Sequence, residues 1–159
     1  MTIAEPNERP TDPKKPRYDI FVSYAQHDHR YAKELGEHLK ALKTAIEFNF
    51  FIDKEELRAG DDLRDTIEHA TRTASIFIIV ATPYYFSSAW AFPKEFPAVK
   101  SAVEESETKK LITLVYEECD FLLEYHRLTR YLVMNLSKGP RRYNRLMSDL
   151  HKIMTRIAP

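Results

Sequence analysis

Residues Ser75-Ile-Phe-Ile-Ile-Val-Ala81 form an apolar run with no polar side chain after its first residue. Successive side chains of a strand point to opposite faces of the pleat, so a strand with one wet face alternates apolar and polar residues. A run without alternation needs apolar cover on both faces, as in the centre of a parallel sheet whose crossover helices lie on either side. The rest of the chain must then provide strands to pair with this one and helices to cover it.

It provides both, in alternation. Asp19-Ile-Phe-Val-Ser23 is a short apolar run, followed by Tyr31, Leu35, Leu39 and Leu42 on one helical face. Phe48-Asn-Phe-Phe-Ile52 predicts a second strand, and Leu63, Ile67, Ala70 and Ala74 trace a second amphipathic helix. After the run at 75–81, the pattern predicts a helix from about Pro93 to Glu105 and a strand at Leu111-Ile-Thr-Leu-Val115. A short strand near an edge follows at Tyr131-Leu-Val-Met134. Tyr143, Leu146, Met147, Leu150, Ile153, Met154 and Ile157 recur at helical spacing and predict a last helix sealing one face of the sheet. Strands alternating with helices in this way predict an α/β fold with a parallel sheet and right-handed crossovers.

Composition limits the rest. A chain of 159 residues with 43% hydrophobic residues suits one domain with one buried core. Residues 1–17 are polar and proline-rich and are expected to be a flexible leader, with the folded domain spanning 18–159. Lysine plus arginine equals aspartate plus glutamate at 24 each, so no net field draws in nucleic acid or an anionic membrane. A single cysteine, Cys119, excludes an internal disulfide and a thiolate zinc site. With neither a signal-peptide core nor an apolar run of membrane-spanning length, a cytoplasmic protein is expected.

The three glycines, Gly36, Gly60 and Gly139, form neither a dinucleotide fingerprint nor a P-loop, so any bound nucleotide is held by something other than a glycine turn. His27 and His29 flank Asp28, but residues two apart converge poorly on one ion and no third ligand is evident; no metal is expected, and Asp28 is read as the cap of the first helix. Lys109-Lys110 and Arg141-Arg142 read as solvated charges at element ends.

Three stretches carry a family resemblance. Tyr18-Asp-Ile-Phe-Val-Ser-Tyr24 resembles the opening strand of TIR domains, and Phe51-Ile-Asp-Lys-Glu-Glu-Leu-Arg-Ala-Gly60 resembles the contact loop after their second strand. Ser87-Ser-Ala-Trp90 followed by Glu95 is similar to their serine-x-tryptophan segment leading into a glutamate. Leu111 to Phe121 further resembles the fourth strand and its exit in bacterial members. Each stretch alone is common; their order and separation over residues 18 to 121 are specific. The resemblance implies a flavodoxin-like three-layer sandwich with a five-stranded parallel sheet, whose ligands gather at the carboxyl ends of the strands.

The resemblance also implies chemistry. Some TIR domains hydrolyse NAD+ at the nicotinamide–ribose bond with one glutamate placed as Glu95 is here, which makes Glu95 the candidate catalytic residue; otherwise it is a solvated acid on a helix's first turn. A lone carboxylate suffices in principle. Glycosidases need a second carboxyl to protonate the leaving oxygen, whereas nicotinamide leaves a cationic pyridinium as a neutral molecule. What remains is to stabilise an oxocarbenium-like ribose while water or an internal nucleophile attacks, giving ADP-ribose or a cyclic form.

Ser23, Tyr24, Asp53 and Trp90 are the candidate substrate-binding residues. Trp90 is read either as a ring stacked on nicotinamide or adenine or as a loop aromatic anchoring the helix, and Asp53 either as a loop cap or a substrate contact. Ala25 and Gln26, after Tyr24, stand where one NAD-cleaving member carries two arginines. Glu95 follows Trp90 by five residues where the family commonly has four. On a continuous helix that difference turns the side chain by about 100°, so Trp90 is expected before the helix, with Pro93 at its first position. Leu57, Arg58, Gly60 and Asp61 are the candidate self-association residues. The expected activity is an NAD+ glycohydrolase in bacterial defence or effector signalling, using NAD+ as substrate and no cofactor. Its expected partners are other TIR domains and a fused or separate sensor domain. The alternative is a non-catalytic interaction module docking through the 53–62 loop, and the fold alone does not separate the two.

Overall fold

In the computed structural model, which describes residues 17–52, 63–88, 91–120, 132–137 and 142–157, the alternation becomes one sheet with helices on both faces. The strands are β1 (Ile20–Ser23), β2 (Phe50–Phe51), β3 (Ile76–Ala81), β4 (Lys110–Val115) and β5 (Leu132–Asn135). The α-helices are α1 (His29–Leu42), α2 (Leu63–Thr73), α3 (Pro83–Ser87), α4 (Phe96–Glu104) and α5 (Asn144–Ile157). All neighbouring strands pair in parallel in the order β2-β1-β3-β4-β5. This is the flavodoxin-like order.

The unbroken apolar run occupies the middle of that sheet, and every residue of β3 is fully buried. The pleat divides it. Ile76, Ile78 and Val80 pack into one layer with Leu35 and Leu39 of α1 and Leu146 and Leu150 of α5. Phe77 and Ile79 pack into the other with Ile67 and Ala70 of α2 and Val99 and Val103 of α4. Each such side chain contributes about 1.5–3 kcal/mol on full burial, so both layers are needed to hold β3 in place.

Four expectations change in detail. The second strand is shorter than 48–52: only Phe50 and Phe51 pair with β1, while the Asn49 carbonyl accepts the N–H groups of Asp19 and Ile20 at 2.8 and 3.2 Å. The helix expected from Pro93 begins at Phe96, because Pro97, with no N–H to donate, is tolerated only in a first helical turn; Ala91–Glu95 form a π-helical turn instead. Lys109 is not simply solvated. Its ammonium donates to the carbonyls of Thr71 and Arg72 at 2.9 and 2.8 Å, closing the carboxyl end of α2, and partial burial lowers its pKa, with Arg17 adding to the effect. Arg142 pairs with Glu34, which ties the start of α5 to α1.

Beneath that pair, the hydroxyls of Tyr116 and Tyr143 are 2.7 Å apart and buried. Among the described residues no helix is long and apolar enough to cross a membrane. Of the expected leader, only Arg17 is among the described residues.

Candidate functional site

In a sheet ordered 2-1-3-4-5, the crossovers leaving β1 and β3 run in opposite directions, opening a crevice at the carboxyl ends of these two strands. β1 ends at Ser23, opposite Ile79, and β3 runs two residues further to Ala81. Strand alternation sends Phe21 and Ser23 toward the α2 and α4 layer, and Val22 and Tyr24 toward the α1 and α5 layer.

Ser23 and Glu95 therefore meet. The Ser23 hydroxyl donates to Oε1 of Glu95 at 3.0 Å and lies 2.9 Å from the Tyr85 hydroxyl. Because the one Ser23 proton goes to the carboxylate, the Tyr85 hydroxyl is the donor to Ser23, and the order is Tyr85 to Ser23 to Glu95. Ser23 and Tyr85 are fully buried and Glu95 is 3% exposed.

That burial departs from the solvated acid of a first helical turn. Glu95 occupies the N-cap position of α4 yet makes no side-chain cap, since its carboxylate turns back to β1. The amino end of the helix favours its negative charge, and a hydroxyl donor replaces part of the lost water. The surroundings are aromatic: Phe92 stacks on Phe96 at 5.2 Å between centroids, and Phe86 and Tyr85 meet Phe92 edge-on at 5.4 and 6.3 Å.

The five-residue interval from Trp90 to Glu95 has a local counterpart. The five residues that follow Trp90 in sequence, Ala91–Glu95, form a π turn, which closes its hydrogen bonds over one residue more than an α turn. Trp90 itself, with Asp53, Leu57, Arg58, Gly60 and Asp61, lies outside the described residues.

Tyr24 does not join the cluster. It is 3% exposed within the opposite core layer, its ring tilted against that of His29 at 6.4 Å. Asp28 holds the N-cap position of α1 as expected but does not cap it with its side chain. Its carboxylate accepts the Thr82 hydroxyl proton instead, and Thr82 Oγ1 accepts the backbone N–H of Tyr85 at 3.1 Å, which fixes the first turn of α3. Burial raises the Asp28 pKa; the Thr82 bond opposes this, Glu117 adds to it, and His27 and Arg30 oppose it. His27 stacks on Tyr84 at 3.6 Å between centroids. Among the described residues no group of three or more His, Cys, Asp or Glu could hold a metal ion.

Sequence reasoning missed Thr82 and Tyr85. A signal was present in Thr82-Pro83, a favoured N-cap followed by a favoured first helical residue, which announces α3. What α3 would bring to Ser23 depends on tertiary packing.

The family model described as TIR domain matches residues 20–150. The chain belongs to the TIR domain family. A comparison with curated proteins found no match. Among solved structures, this TIR domain is similar to that of the Toll-related receptor TRR-2 of Hydra magnipapillata, at 16% identity and a TM-score of 0.57, over 84% of this chain and 98% of that one. It is also similar to the TIR domains in the activated Roq1 resistosome, which directly recognises the effector XopQ, at 19% identity and a TM-score of 0.53. That match covers 86% of this chain and 82% of the other. At these identities the likeness supports the fold.

Proposed function

We infer that this TIR domain is an NAD+ glycohydrolase acting in signalling, with Glu95 as the catalytic carboxylate. The observation that supports the reading most is the buried Glu95 carboxylate, turned away from its own helix and held by Ser23 in the crevice at the carboxyl ends of β1 and β3. A carboxylate kept out of bulk water acts on a neighbouring positive charge more strongly than a solvated one.

The reaction asks for one such group. As the bond from ribose C1′ to the pyridinium nitrogen breaks, its electron pair leaves with neutral nicotinamide, and the positive charge moves onto the ribose. Glu95 stabilises that charge; water then adds to C1′ and loses a proton, giving ADP-ribose. NAD+ is the substrate, and no further cofactor enters. Ser23 holds Glu95, and Trp90 and Asp53 are the proposed substrate contacts. Self-association through Leu57, Arg58, Gly60 and Asp61 with other TIR domains is part of the proposal, as is control by a fused or separate sensor domain.

The test is incubation of concentrated protein with NAD+ and chromatography for nicotinamide and ADP-ribose, repeated on assemblies enriched by macromolecular crowding. Stoichiometric excess of nicotinamide over protein supports the reading. No turnover in either preparation points to the interaction-module alternative.

A further inference from the structure

The hydrogen bonds around Glu95 do not stop at Ser23. They continue through the Tyr85 hydroxyl at 2.9 Å and along the first turn of α3, where the Tyr85 N–H is held at 3.1 Å by Thr82 Oγ1, itself bonded to Asp28. A second buried carboxylate, on the segment that leads into α1, is thereby tied to the Glu95 cluster through one short helix. Five residues separated by as many as 72 positions in sequence form one connected path. The path is directional: the Tyr85 hydroxyl gives its proton to Ser23 and Ser23 gives its proton to Glu95, so each bond polarises the next.

α3 has 5 residues, too few to hold a fixed direction by helix propensity alone. Thr82 and Asp28 fix its start, and the Tyr85 ring fixes its inner face against Phe92, edge-on at 6.3 Å between centroids. With backbone and ring both held, the Tyr85 hydroxyl is a fixed donor. Ser23 has a freely rotating hydroxyl that without such a neighbour could also turn toward backbone carbonyls.

We propose that Tyr85 is a positioning residue for Glu95, fixing the Ser23 hydroxyl and through it the carboxylate, with Asp28 and Thr82 anchoring the helix that carries it. This rests on the reading of Glu95 as the catalytic group, but its effect on the carboxylate is measurable without catalysis.

The experiment compares wild type, Tyr85→Phe, Ser23→Ala and the double variant, with thermal midpoints confirming that each folds. Tyr85→Phe keeps the ring and removes only the hydroxyl. Carbon-13 spectra of glutamate-labelled protein, with the Glu95 carboxyl resonance assigned by its loss in Glu95→Gln, should show that resonance displaced in Tyr85→Phe while the Glu104 resonance stays. In protein that cleaves NAD+, Tyr85→Phe should lower kcat about tenfold, the order expected when one orienting hydrogen bond is lost, with KM within about twofold. The double variant should lose little more than Ser23→Ala, because both changes cut the same path. An unmoved Glu95 resonance in folded Tyr85→Phe overturns the proposal whether or not the protein is an enzyme, as does unchanged kcat in active protein. A displaced resonance in a protein without NAD+ cleavage supports the positioning and removes the catalytic reading instead.

Discussion

Glu95→Gln keeps the shape of the side chain and an oxygen able to accept from Ser23, and removes only the negative charge. The size of the effect follows from where that charge sits. Glu95 is 3% exposed and caps α4 without using its side chain, so its field is screened less than that of a surface acid. Opposite unit charges 4 Å apart attract by about 4 kcal/mol at an effective dielectric constant of 20. The reacting charge is already present on the pyridinium before it moves to the ribose, so only part of this acts on the barrier. About 3 kcal/mol is a reasonable share, or roughly a hundredfold in rate. The assay is nicotinamide release at saturating NAD+, by chromatography, on wild type, Glu95→Gln and Glu104→Gln. Glu104 is the control: its side chain is 55% exposed at the far end of α4, paired with Lys100 at 3.7 Å, and its change should leave the rate within about twofold. Thermal midpoints should hardly differ among the three. Equal rates for wild type and Glu95→Gln, in protein that cleaves NAD+, would remove Glu95 from the mechanism.

Three other changes test the framework that holds the site. Asp28 has a raised pKa, so its protonated form stabilises the folded state below the unfolded value near 3.8, and that stability is lost as pH rises through the folded pKa. Asp28→Asn keeps an acceptor for Thr82 and should flatten the decline in stability above pH ~4, read from urea midpoints between acid and neutral pH; an unchanged slope would show that Asp28 does not carry it. Tyr116→Phe deletes one of two buried hydroxyls 2.7 Å apart and should cost about 1–2 kcal/mol in chemical denaturation; burial pushes the Tyr143 phenol up to about 12 and the bond to Tyr116 opposes this, so its ultraviolet titration should move further from the ordinary value. Leu146→Ala opens space under α5 at a fully buried position and should cost about 2–5 kcal/mol, without altering the KM of any NAD+ cleavage the protein shows; a smaller loss would mean the layer can collapse around it.

Much of the architecture lies in local pattern. The unbroken run at 75–81 could be satisfied only by cover on two faces, and helical periodicity at Leu35 and Leu39, at Ile67 and Ala70, and at Leu146 and Leu150 announced the helices that provide it. Glu95 could be singled out from its motif, because the order of the three stretches is a property of sequence. Its surroundings could not. Ser23 and Tyr24 are neighbours in sequence, yet the pleat sends one to Glu95 and the other into the opposite layer. Pro93 and Pro97 both suit a helix start, and the structure uses Pro97, leaving Ala91–Glu95 as a π turn. Asp28 reads as a cap because capping is local, but its carboxylate bonds to Thr82, 54 positions away. Tyr85 had no signal of its own: its hydroxyl matters only because β3 pairs with β1 and ends beside Ser23. Periodicity and caps depend on residues a few positions apart and are written along the chain, whereas a buried carboxylate is defined by which groups replace its lost water. In this fold those groups come from different strands and helices, and only their packing brings them together.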